Sequence, residues 1–182
     1  MIVETRPFPS EPLNERYGDL MPMTPLVARE YNWPRMADYW DIVEPVWDII
    51  DIYEGPEVFR RTYNSTPRES RLMFAAHYCQ SEVCNGGFAQ FFGNSTGVLA
   101  PEAVEAFREI GQPQVAALVR SAMDLFGPSY PRDRDEREGR LSGIAGSALD
   151  ALDKSFFNLI ESEEGGFEAA ANRYVERMGR RQ

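Results

Sequence analysis

The chain has 182 residues, 43% of them hydrophobic, enough to bury one core and too few for two of ordinary size. With 29 acids against 19 bases it carries a formal charge of -10, which repels phosphate and argues against direct contact with nucleic acid or an anionic membrane. The same charge favours a basic protein as partner.

The start, Met1-Ile2-Val3-Glu4-Thr5-Arg6-Pro7, lacks the basic and apolar regions of a signal peptide, and no apolar run approaches the ~20 residues of a membrane span. The expectation is a cytoplasmic protein. Residues 1–35 hold Pro7, Pro9, Pro12, Pro22, Pro25 and Pro34 with no sustained period, which predicts an extended N-terminal arm. Residues 36–182 read as one all-α domain, a multi-helix bundle. In its first segment Tyr39, Ile42, Val46, Ile49 and Tyr53 step by threes and fours, as do Trp40, Val43, Trp47 and Ile50, predicting a core helix kinked at Pro45.

Thr66-Pro67-Arg68-Glu69 has the form of a capping box with proline at the first helical position, and Leu72, Ala76, Cys79 and Val83 continue a buried stripe to about Cys84. Asn85-Gly86 ends that helix. Pro101 opens the next and Gly111 closes it; Pro113 and Gly127 bracket another, so these two form a short-linked hairpin. A charge-mixed loop is expected over residues 132–140. Leu149, Leu152, Phe156, Leu159 and Ile160 mark a further helix, and Phe167 to Met178 the last. Cys79 and Cys84 point about 140° apart on their helix at ~100° per residue, so both read as reduced, mostly buried thiols.

No catalytic constellation emerges. Gly93-Asn94-Ser95-Thr96-Gly97 matches the pattern of a nucleophile elbow, but no strand precedes it and the single histidine, His77, lies before the serine, the wrong order for that hydrolase fold. One histidine and two cysteines make no usual zinc set, and no metal or cofactor is expected. Glu82 in the last turn of a helix opposes the macrodipole, so it needs partners, and the nearby amides Asn85, Gln90 and Asn94 can supply them by tying the helix end to the Asn94–Gly97 turn. Phe88, Phe91 and Phe92 read as core.

The strongest surface feature is acidic. Asp41, Glu44, Asp48 and Asp51 step by 3, 4 and 3 along the first predicted helix, with Asp38 before them, and residues 36–59 hold seven acids and no base. Ten helical residues rise about 15 Å, over which one DNA strand presents about four phosphates. The spacing of charge is therefore that of a nucleic-acid backbone, although any helix with acids at this period shares it.

Glu82-Val83-Cys84-Asn85-Gly86-Gly87-Phe88, Gln90-Phe91-Phe92, Asn94-Ser95-Thr96-Gly97 and Pro101-Glu102-Ala103 together resemble a bacterial all-helical domain family of uncharacterised function, one member of which is described as a DNA mimic protein. Tyr39-Trp40-Asp41 through Trp47-Asp48, and Leu152 to Phe157 followed by Glu161 to Ala171, extend the resemblance over about residues 38–178. It implies an acidic protein-interaction domain, a homodimer that occupies the DNA-binding surface of a basic transcription factor. Glu82, Asn85, Gly86, Gly87, Gln90, Asn94, Ser95 and Thr96 are its motif, structural or ligand-holding. Asp38, Asp41, Glu44, Asp48 and Asp51 are the partner-binding candidates. Four arginines in residues 173–182 depart from a uniformly acidic surface. The alternative is a small-molecule-binding domain, or an enzyme of unstated reaction, with a polar pocket around the Asn-Gly-Gly-Phe motif; the residues lean toward a protein without catalysis.

Overall fold

Helix boundaries follow from proline, glycine and a few buried polar contacts. The computed structural model describes residues 38–180, and the arm expected over residues 1–35 lies outside them. Eight α-helices follow in order: α1 Trp40–Val43, α2 Pro56–Asn64, α3 Arg68–Gly93, α4 Ala100–Ile110, α5 Pro113–Asp124, α6 Arg134–Leu141, α7 Gly146–Ser162 and α8 Phe167–Gly179. No strand occurs among the described residues, so the fold is all-α as expected.

Helix α3 is the axis of the bundle. It packs against α4, α6, α7 and the segment containing α1, and buries Leu72, Met73, Phe74, Ala76, Cys79 and Val83. The α4–α5 hairpin forms as predicted, with Pro101 and Pro113 inside the first turns. Gly111 takes the left-handed conformation at φ 94°, which only glycine reaches without steric cost. Phe88, Phe91, Phe92, Phe107 and Phe156 are fully buried, which makes the three motif phenylalanines core residues.

Four expectations need correction. The long first helix is one turn of α-helix, Trp40–Val43, followed by a 3-10 turn, Glu44–Val46, because Pro45 removes the amide that would bond back to Asp41. Helix α2 lies in a stretch without a predicted helix; Gly55 at φ 86° and Pro56 start it, and Phe59 and Tyr63 are its buried face. The charge-mixed stretch near 132–140 is mostly helix α6. Asp133 caps it by accepting the Glu136 amide at 3.0 Å, and Arg134–Glu138 and Glu136–Arg140 pair one turn apart.

Finally, Thr66 does not cap α3. Its hydroxyl donates back to the Tyr63 carbonyl at 2.8 Å, at the end of α2, and Pro67 takes the cap position. With α2 immediately before it, Thr66 serves the outgoing helix instead of the incoming one.

Candidate functional site

The acid-bearing segment has two sides of opposite character. Trp40 and Trp47 face inward, with ring centroids 5.3 Å apart, and Trp47 stacks on Tyr78 at 4.8 Å and meets Phe74 edge-on at 5.7 Å. Asp38, Asp41, Glu44 and Asp48 are exposed, and Asp51 is half-buried. Two of these carboxylates hold the local backbone. Asp38 accepts the Trp40 amide at 2.9 Å, and Asp51 accepts the amides of Tyr53 and Glu54 at 2.8 and 3.0 Å, closing an Asx turn. The five acids therefore lie along a turn of helix, a 3-10 turn and a bend, not along one continuous helix.

His77 of α3 anchors this segment from below. Its ring lies 5.0 Å from Trp40 and 5.8 Å from Trp47, and Nδ1 is 3.1 Å from the Tyr39 hydroxyl. Burial among these rings lowers the imidazole from 6.5 to about 4, so it is neutral at physiological pH. The same burial, with the charges of Asp38 and Glu168 behind it, pushes Tyr39 up to about 12. The unfolded chain binds a proton near pH 6.5 and the folded chain does not, so stability present above pH 6.5 is lost as pH falls toward 4. The loss is at most about 3 kcal/mol. Denaturant titrations between pH 7 and 4.5 should show it as a slope that His77→Phe removes; equal slopes in the two proteins would contradict the assignment.

The Asn-Gly-Gly-Phe corner interrupts α3. Gly86 leaves helical geometry at φ -155° and ψ 22°, Gly87 turns to φ 75° and ψ 178°, and helical structure resumes at Phe88. Glu82 finds two of its three expected partners: Gln90 Nε2 and Asn94 Nδ2 both donate to Glu82 Oε2, at 2.8 and 2.9 Å. Asn85 is exposed and, among the described residues, makes no side-chain hydrogen bond. Ser95 is half-buried at the start of a 3-10 turn, Ser95–Leu99, while Thr96 is buried. The Thr96 hydroxyl faces the Phe91 carbonyl at 3.5 Å, at the limit of a hydrogen bond.

The two glycines are needed for different reasons. A Cβ on Gly86 would collide with the Gln90 carboxamide, and one on Gly87 would lie 2.9 Å from Asp153 Cγ. Asp153, on α7, accepts the Phe88 amide at 2.7 Å and so caps the resumed helix from 65 residues away. Gly87→Ala should cost about 2–4 kcal/mol, combining a backbone region open almost only to glycine with a displaced cap. Gly86→Ala should cost about 1 kcal/mol by pushing Gln90 off Glu82. Chemical denaturation of the two variants ranks them, and equal effects would refute this division of roles.

The residue that closes the corner carries no signal in its sequence context. Arg137 of α6 is fully buried, and its guanidinium donates to the carbonyls of Phe92 at 2.6 Å, Asn94 at 2.8 Å and Arg132 at 2.9 Å. A cation thus meets the last carbonyls of α3, where the helix dipole is negative. Gly97 makes the room, since a Cβ there would lie 2.6 Å from Arg137 Nε. The Asn94–Gly97 stretch is therefore a helix end tied down by arginine. In this geometry Ser95 follows a helix, and no strand leads into it.

A cavity of about 310 Å³ lies among α2, the start of α3 and α4, and none of the motif residues lines it. Of the motif's polar side chains, Glu82, Gln90 and Asn94 bind one another and the Thr96 hydroxyl faces a backbone carbonyl. No helix among the described residues is long and apolar enough to cross a membrane.

Comparison with known proteins agrees with this core. The family model described as DMP19-like protein, for DNA mimic protein 19, matches residues 64–178, which take in the corner, Arg137 and Asp153 and begin after the acidic segment. Neither the curated proteins nor the solved structures contain a match. With more than half of its 182 residues matched, the chain belongs to the DMP19-like protein family.

Proposed function

We propose that this protein is an acidic interaction domain that mimics DNA, occupying the DNA-binding surface of a basic DNA-binding protein such as a transcription factor. Family membership supports the general class. The observation that carries the reading to this chain is the two-sided segment of residues 38–51. Its aromatic side is locked onto α3 by Trp40, Trp47 and His77, so Asp41, Glu44 and Asp48 are presented from a fixed backbone. Carboxylates held in place lose less freedom on binding than those of a mobile tail, and they steer a cationic surface toward them.

Capture from a native lysate, followed by competition, tests the reading. A basic DNA-binding protein should be retained at low salt, released as exposed charges are screened, and displaced by duplex DNA. A partner complex indifferent to both salt and DNA would rule mimicry out.

A further inference from the structure

The cavity beside α2 is lined by more bases than acids although the chain is acidic. Four arginines, Arg60, Arg68, Arg71 and Arg132, line it against two carboxylates, Glu102 and Glu105, in a chain of net charge -10. Most of these charges are already matched. Arg132 grips Glu102 through both nitrogens at 2.8 Å, Arg68 reaches Glu105 at 2.6 Å and Glu109 at 3.1 Å, and Arg60 pairs with Glu57 at 2.9 Å.

Arg71 is different. It has no carboxylate partner among the described residues, and its Nη1 meets the carbonyls of Tyr63, Asn64 and Thr66 only at 3.4–3.5 Å, beyond the usual length. Its guanidinium lies over the Tyr63 ring, 5.3 Å from the centroid.

Tyr63 supplies the second observation. The residue is 6% exposed, and its hydroxyl is buried with no hydrogen-bond partner. The charged groups around that hydroxyl, Glu102, Arg71, Glu105 and Arg132, all line the cavity. A buried donor left unpaired is costly and rare in a folded protein, and a ligand in a cavity lined both by Tyr63 and by a guanidinium without a carboxylate partner could accept from both. A planar guanidinium fork and a hydroxyl donor suit an oxyanion. The volume is at the lower end of the range for small-molecule pockets, and Phe59 and Leu72 give it an apolar wall.

We propose that this cavity binds a small organic oxyanion, its carboxylate or phosphate group held by the Arg71 guanidinium and the Tyr63 hydroxyl. The site is separate from the acidic segment and does not depend on the mimicry reading.

Inorganic phosphate and acetate are the probes, measured by thermal denaturation and calorimetry on the full chain at constant ionic strength against chloride. At least one should raise the melting temperature saturably. Tyr63→Phe keeps the ring beneath Arg71 and removes only the orphaned oxygen. It should melt no lower than wild type without anion and bind the probe about tenfold or more weakly. Arg71→Gln should lose as much or more. The proposal is overturned if neither anion exceeds the chloride control, or if Tyr63→Phe binds as tightly as wild type.

Discussion

Replacing Arg137 by methionine is expected to remove at least about 3 kcal/mol of stability, enough to unfold a domain of ordinary margin in part or in full. The aliphatic stem is nearly conserved in this change, so the loss isolates the guanidinium. Without it the carbonyls of Phe92, Asn94 and Arg132 lose the cationic donor that a fully buried Arg137 supplies. Arg137→Lys should recover only part of the loss, because one ammonium cannot span carbonyls that a planar fork reaches in three directions. Denaturant unfolding of both variants gives the measurement. A methionine variant within about 0.5 kcal/mol of wild type would mean that water or a shifted backbone satisfies the helix end just as well.

The second large effect concerns binding. Asp41→Asn, Glu44→Gln, Asp48→Asn and Asp51→Asn combined should weaken the complex with a captured basic partner by on the order of 100-fold at physiological salt, taking roughly 0.5–1 kcal/mol per lost charge contact. Asparagine at position 51 keeps the oxygen that accepts the amides of Tyr53 and Glu54, so the turn survives. The helical content and melting temperature should therefore match wild type. Affinity equal to wild type with the fold intact would show that this acidic face only solvates the segment.

How much could be read from the sequence depended on where each cause lies along the chain. The α4–α5 hairpin was legible because Pro101, Gly111, Pro113 and Gly127 act within their own turns. The Glu82 network was mostly legible too, since its partners Gln90 and Asn94 lie only 8 and 12 residues on. Helix α6 was hidden because its buried face is Arg137 and not an aliphatic stripe, so hydrophobic periodicity had nothing to register. The first helix was overextended because apolar residues keep helical spacing through Pro45, while the Asx turn of Asp51 ends the segment by a local polar contact. The cavity was illegible: Tyr63, Arg71, Glu102 and Arg132 converge from separate elements, and none stands out by its spacing.

The helical turns after Gly87 depend on parts of the chain that are made later. Phe88 is capped by Asp153, the carbonyls at Phe92 and Asn94 wait for Arg137, and α5 begins on Glu163, whose carboxylate accepts the amides of Gln114 and Val115 at 2.9 and 3.0 Å. During synthesis from the N-terminus, residues 68–85 can coil as soon as they emerge, whereas the corner has no partner for its open ends until α6 and α7 follow. Closing those long loops before any contact is gained slows folding, and it makes assembly of the corner a late, cooperative event in which the C-terminal third of the domain acts as template for its middle.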